Sequence, residues 1–585
     1  MMRGLAPLFA LVLAALAASK DVTYYWDITY VQANPDGLKE RQVIGVNNQW
    51  PPPPLHVSLN DTLVIEARNS LDTPTTLHAH GMYQNTTNYY DGPYMVTQCG
   101  IPVGSNMTYR IPITQIGTYW IHSHYGPQYV DGIRAPLILH NPDEPYTYDE
   151  EFIVTLADWY HDQASDLLKE FLSWRNPGGA EPVPNSALIM GSSTATLKFE
   201  PGKTYRLRLI NMSALAMFHF SIEGHSMRVI EVDGIYTEET EVGNVVLAAA
   251  QRTSVLVTAL NSTANNYIFH ADMDTDMFDN IPKALNYNST GLIQYTEGAE
   301  IKRDDTVDWS PFNDIDLVPL IDPPALGFDI TFNLDVFFNQ YTDALNHGTF
   351  NNITYVMPKV PSMFTALSMG NDSMNPTVYG RQTNAHVVGH LQDVQIVISN
   401  YDAGTHPFHL HGHHFQLIER GPIPYDPTYN PRSNKPISRD TVSIPSMEYV
   451  IIRFNANNPG TWLLHCHIEW HIEGGLNMVI IEAPDVMQQR ISVPQEIYDQ
   501  CKQAGIPTKG NAAGRSGLDL TGAPDGPNPY PLGWTKKAKG AMAGCVLSAL
   551  VGFATIFWYG WSSKRTYARV PTAEVDQSQP VNSTD

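Results

Sequence analysis

Only four cysteines occur in 585 residues, Cys99, Cys466, Cys501 and Cys545, too few for a fold stapled by many disulfides. Basic residues are scarce as well. Thirty-five Lys and Arg face 59 Asp and Glu, a formal net charge of -24, which argues against a phosphate backbone as partner and suits small cations. Nucleic-acid binding is therefore not expected. Long apolar runs are confined to the two ends, and the length between them predicts about three or four units of ordinary size.

Short alternating runs such as TLVIEAR (62–68) and TYWIHSHY (118–125), punctuated by Pro and Gly, predict strands across a first unit, residues 20–141. A second unit, 142–298, offers EFIVTLADWY, TYRLRLIN and TSVLVTAL as strands and SDLLKEFLSW, 165–174, as its one helix. After a polar linker, 299–325, a third unit, 326–485, holds VQIVISN, YVIIRFN and LNMVIIEAP. Residues 486–540, rich in Gly, Pro and Asn, predict a loose tether.

The second unit lacks what the other two share. His78-Ala79-His80-Gly81 is followed 44 residues on by His122-Ser123-His124, and His409-Leu410-His411-Gly412 is followed 56 residues on by His465-Cys466-His467. Two similar β-sandwiches, each offering two His-x-His strands, could bring eight imidazoles together between them. In HCHIEWH (465–471), read as a strand, His465 and His467 point one way and Cys466 the other, so one segment could serve two metal sites. His471 lies five residues beyond Cys466 and Leu476 ten, giving a thiolate, an imidazole and an apolar neighbour, a copper-like set.

The start, MMRGLAPLFALVLAALAAS, places Arg3 before an apolar run and reads as a secretory signal peptide, residues 1–19. Eight acceptor-type sequons precede the second apolar run, at Asn60, Asn85, Asn106, Asn211, Asn261, Asn288, Asn352 and Asn371, and fit a secreted glycoprotein. In an oxidising compartment Cys99 and Cys501 can pair, with Cys466 kept for metal and Cys545 in the second apolar run, so one disulfide is predicted. That run, 541–561, is uncharged and long enough to cross a bilayer. With the signal peptide it predicts a single-pass type I protein, its bulk outside and the tail 562–585 inside. A removed GPI signal competes with this, but such signals usually end in their apolar tail.

HAHG, HSH, HPFHLHGH and HCHIEWH, in this order, resemble the four copper signatures of the multicopper oxidases, over about residues 21–500. The resemblance implies an all-β protein of three cupredoxin-like Greek-key β-sandwich domains plus one C-terminal transmembrane helix, with four copper ions. It implies a type 1 copper at His406, Cys466 and His471 with Leu476 axial, a type 2 copper at His78 and His409, and a type 3 pair at His80, His122, His124, His411, His465 and His467. It also matches Asp91 and Glu469 to acids that supply protons beside the cluster. Leu476 in place of an axial Met predicts a higher type 1 potential.

The electron donor is harder to read. A laccase-like enzyme oxidises bulky phenols in an open apolar pocket, whereas an Fe(II) oxidase needs hard oxygen ligands that favour Fe(III). Asp402 lies four residues before His406; Glu181 lies in GGAEPVPN and Asp279 in DMFDNIP. These contexts resemble the fungal membrane-bound multicopper ferroxidases of high-affinity iron uptake, in which a Glu and two Asp guide and ligate iron. Tyr355 in NNITYVMPKVP matches a further residue lining the iron route. The resemblance implies Fe(II) and O2 as substrates and an iron permease in the same membrane as partner. A laccase-like phenol or aromatic amine oxidase and a copper-holding surface protein without turnover are the alternatives. Glu419–Arg439 and the tail are short for that group, and His413 and His414, beside the type 1 side, read as ordinary polar residues.

Overall fold

The computed structural model describes residues 19–563 except 263, 304–311, 322, 429–431, 530–533 and 535, so nearly all of the expected signal peptide and the tail beyond Ser563 lie outside it. β-branched and aromatic residues dominate the long opening strand of each unit, and each of these strands pairs in parallel with a later one. Asp21–Ala33 runs beside Thr62–Asn69, Glu150–Trp159 beside Thr204–Asn211, and Ile330–Gln340 beside Asp393–Asn400. Every unit adds a second sheet, giving six in all. The protein is mostly β, as its alternating sequence requires.

The apolar core positions the site. Along Gly460–Cys466, Leu463 joins a core shared with the first unit, whereas Leu464 and Cys466 join one shared with the second. One strand therefore faces two neighbours, as alternation demands.

Three expectations need correction. HCHIEWH is not one strand: pairing ends at Cys466, His467 donates its backbone N–H to Pro407, and Glu469–Glu473 forms a short helix that carries His471. The helix expected over 165–174 is Ala164–Phe171, because the Asn176 side chain donates to the Phe171 carbonyl and turns the chain there. Residues 486–528 are not a loose tether. Helices Pro484–Arg490 and Gln495–Gln503 pack through Met487, Ile497 and Cys501, and Cys501 is bonded to Cys99. The described residues up to Asn528 form one compact unit, and the helix Lys536–Ser563, long and apolar enough to cross a membrane, belongs to another.

Candidate metal centre

Strand register brings the histidines together. His78 pairs opposite His122 in the first unit and His409 opposite His465 in the third, the same relation in both. Three sets result in which one potential ligand atom per residue lies within 4.8 Å of the others: His78, His80 and His409; His80, His122 and His467; His124, His411 and His465. All but the partly buried His124 are buried. Burial, together with crowding by neighbouring imidazoles, holds His122, His124, His409, His411 and His467 well below the usual imidazole range, leaving neutral lone-pair donors at neutral pH.

A metal fits because six of the eight imidazoles, all but His411 and His465, leave a buried nitrogen without a protein partner. Nδ1 of His78, His122, His409 and His465 faces a backbone carbonyl, which fixes the tautomer with the proton on Nδ1. In His78, His122 and His409 the Nε2 left over is buried and unpartnered. His80 is turned round: Nε2 faces Asp440 Oδ1 at 3.3 Å, and Nδ1 is the orphan. Buried polar groups without partners are rare in native proteins, so this concentration of imidazole nitrogens fits a set of bound metal ions.

The fourth set is His406, Cys466 and His471. Cys466 Sγ lies 3.4 Å from His471 Nδ1 and 3.7 Å from His406 Nδ1, and the two nitrogens are 3.1 Å apart. Burial alone would raise the thiol; the two imidazoles bring it down to about 7, so the thiolate needed for a soft metal is accessible. Leu476 is fully buried in the same core, and its carbonyl accepts the Cys466 N–H. Phe338 lies against both rings.

Each outer nitrogen of this pair meets an acid. His471 Nε2 is 2.7 Å from Glu181 Oε1, and His406 Nε2 is 3.0 Å from Asp402 Oδ2. Although burial opposes it, the His406 contact holds the Asp402 carboxyl down to about 2. Asp279 is exposed and makes neither contact, but two residues before it the Met277 thioether accepts the Thr405 N–H at 3.1 Å, which docks its loop beside Asp402. Tyr355 lines a cavity of about 110 Å³ with His124, His465, Glu469 and Glu473, rather than the edge where Glu181 and Asp402 sit. Asp91 lies on the cluster, its Oδ2 2.9 Å from His411 Nδ1. Burial raises the carboxyls of both Asp91 and Glu469.

Sequence reasoning missed Asp440, Arg252, Met277 and Glu473. Asp440 reaches His80 across 360 positions of chain, and no local pattern marks it. His413 and His414 are not at the type 1 edge. His413 pairs with buried Glu482, and His414 lies between Tyr83 and Asp440.

Three multicopper oxidase family models match residues 27–144, 150–298 and 355–486. The chain is 44% identical to the iron multicopper oxidase fer1 of Mycosarcoma maydis, over 95% of each protein. It is 43% identical to the iron transport multicopper oxidase fio1 of Schizosaccharomyces pombe, covering 98% of this chain and 94% of that one. Among solved structures, Fet3p, a multicopper oxidase that functions in iron import, superposes with a TM-score of 0.85 at 37% identity, covering 87% of this chain and all of that one. A laccase from Botrytis aclada superposes at 0.74 with 28% identity, covering 83% and 92%.

Proposed function

The chain belongs to the multicopper oxidase family, and we propose that it is a cell-surface ferroxidase that oxidises Fe(II) to Fe(III), reduces O2 to water and passes the product to an iron permease. Four Fe(II), one O2 and four protons give four Fe(III) and two waters. The observation that carries this reading is the pair of acids on the outer nitrogens of His406 and His471.

Copper ions, when bound, would supply one-electron redox chemistry at the thiolate site and four-electron reduction of dioxygen at the cluster. His406, Cys466 and His471 would hold the type 1 ion, His78 and His409 the type 2 ion, and His80, His122, His467, His124, His411 and His465 the type 3 pair. Glu181 and Asp402 are hard oxygen ligands, which bind Fe(III) better than Fe(II) and so favour loss of the electron. They reach solvent, at 15% and 27% side-chain exposure, while the imidazoles behind them are at 0%. Iron thus meets carboxylate first. The same two acids cover the imidazole edges on which a flat phenol would need to lie, which disfavours the laccase-like alternative.

Cys466 is joined by peptide bonds to His465 and His467, a short covalent link between the two donor sets. Asp91 and Glu469 supply protons beside the cluster, and Asp279 guides iron toward Asp402 from its docked loop. The helix Lys536–Ser563 anchors the protein in the plasma membrane with its catalytic domains outside. The test is oxygen consumption by purified protein with Fe(II) and with a phenol, side by side. Faster turnover of Fe(II) is expected; good phenol turnover with poor Fe(II) turnover would overturn the proposal.

A further inference from the structure

Asp440 is to the third unit what Asp91 is to the first. The Asp91 carbonyl accepts from His78 Nδ1 at 2.6 Å, and its carboxylate reaches across to His411 of the third unit at 2.9 Å. The Asp440 carbonyl accepts from His409 Nδ1 at 2.8 Å, and its carboxylate reaches back to His80 of the first unit at 3.3 Å. Each acid thus holds one imidazole of its own unit through the backbone and one of the opposite unit through the side chain. The two halves are related by an approximate twofold exchange.

The second unit breaks that symmetry. It sends Arg252 to Asp440, and no Lys or Arg pairs with Asp91 among the described residues. The Arg252 guanidinium is fully buried and takes both carboxylate oxygens of Asp440, at 2.8 and 2.5 Å. Its Nε donates to the Thr118 carbonyl at 3.1 Å, on the strand that ends at His122, and the adjacent Gln251 side chain donates to the Thr441 carbonyl at 3.1 Å. A bidentate fork fixes the plane of the carboxylate as well as its position.

That plane matters for His80. With its Nε2 proton directed at Asp440, the lone pair is left on Nδ1, the opposite choice from His78, His122 and His409. The pair also explains the glycine of HAHG. Gly81 has φ +87°, and a Cβ there would lie 2.5 Å from Asp440 Oδ2 and 2.9 Å from Arg252 Nη2.

We propose that Arg252, from the unit without His-x-His pairs, is a positioning residue for the edge of the cluster where the type 2 ligand His409 and the type 3 ligand His80 meet: it fixes Asp440, which in turn selects the ligating nitrogen of His80 and orients His409. This rests on the copper ligands proposed above. If His80→Ala and His409→Ala lose no copper, that ligand set fails; if only the Arg252 variants behave as wild type, this inference fails.

The experiment uses the full-length protein with Arg252→Met and Arg252→Lys. Copper per chain, the electron paramagnetic resonance spectrum of the type 2 copper and the blue absorption of the Cys466 site are measured for each. Arg252→Met is expected to weaken retention of the type 2 copper against a chelator about 10- to 100-fold, the usual effect of removing a residue that orients a ligand, and to change its resonance spectrum while the blue band stays. Arg252→Lys keeps the charge without the fork and is expected to restore retention in part with an altered spectrum; it decides the matter if Arg252→Met does not fold. Full copper retention with a type 2 spectrum superimposable on wild type, in whichever variants fold, would overturn the inference.

Discussion

Glu181 and His471 stand 290 positions apart in the chain and meet at 2.7 Å, Oε1 to Nε2. The other nitrogen of the same ring, Nδ1, lies 3.4 Å from Cys466 Sγ. One imidazole therefore spans the distance between a solvent-reaching acid and a buried thiolate. His406 repeats the arrangement with Asp402. The donor side is doubled, with one acid from the second unit and one from the third.

Removing either acid should act on iron and spare other electron donors. Glu181→Ala and Asp402→Ala are each expected to lower kcat/KM for Fe(II) about tenfold or more, on the order of 1.4 kcal/mol of transition-state binding. Oxidation of an aromatic amine, which needs no hard ligand, should change far less. Stopped-flow oxidation of both donors by each variant checks this, and equal losses for the two would remove the case for iron specificity.

How much of this was legible in the sequence depends on the distance over which each signal acts. The histidine pairs were legible because a two-residue spacing on a strand fixes a common face, and register then set His78 against His122 and His409 against His465. Where HCHIEWH leaves the sheet was not legible, since the turn at His467 is set by Pro407, sixty positions away. Residues 486–528 misled because Gly, Pro and Asn mark turns as readily as they mark loose chain. Asn511 shows the difference: it is fully buried, and its side chain binds the backbone of Ala513, Arg515, Gly517 and Asp519. Glu181 was found through family resemblance and Arg252 not at all, because their partners lie in other units.

Cys466→Ser tests the separation of the two sites. Serine is a hard oxygen donor and cannot replace the soft thiolate, so the blue absorption should vanish. The cluster's imidazoles do not use Sγ, and copper should remain there. Copper analysis together with resonance spectroscopy of the cluster provides the check; loss of all copper would show that the cluster cannot assemble without the thiolate.

The Cys99–Cys501 bond closes a sequence separation of 402 and ties the helix Gln495–Gln503 to the first unit. A cross-link over so long a loop is expected to contribute about 2–4 kcal/mol by restricting the unfolded chain. Cys501→Ala should lower the Tm and speed proteolysis after residue 484 while leaving the blue band in place. Differential scanning calorimetry and limited proteolysis measure both effects, and an unchanged Tm would mean that the packing of Met487 and Ile497 suffices alone.

Acid should weaken the junction of the first two units through Glu231. Its carboxylate is fully buried, accepts from Arg206 at 2.7 Å and from the Thr118 hydroxyl at 2.9 Å, and also binds Ser254. Burial alone would raise this carboxyl, but Arg206 and Arg208 reverse the effect and take it from 4.5 down to about 2. Because the folded value lies below the unfolded one, the contribution, about 3 kcal/mol, is complete above the unfolded pKa and drains away as pH falls toward the folded one. Tm measured from pH 6 down to about 2.5 should therefore show a gap between wild type and Glu231→Gln that is widest at the upper end and narrows steadily below the unfolded pKa. A gap that stayed constant across that range would place the loss in packing and hydrogen bonding, with no share for the carboxylate's charge.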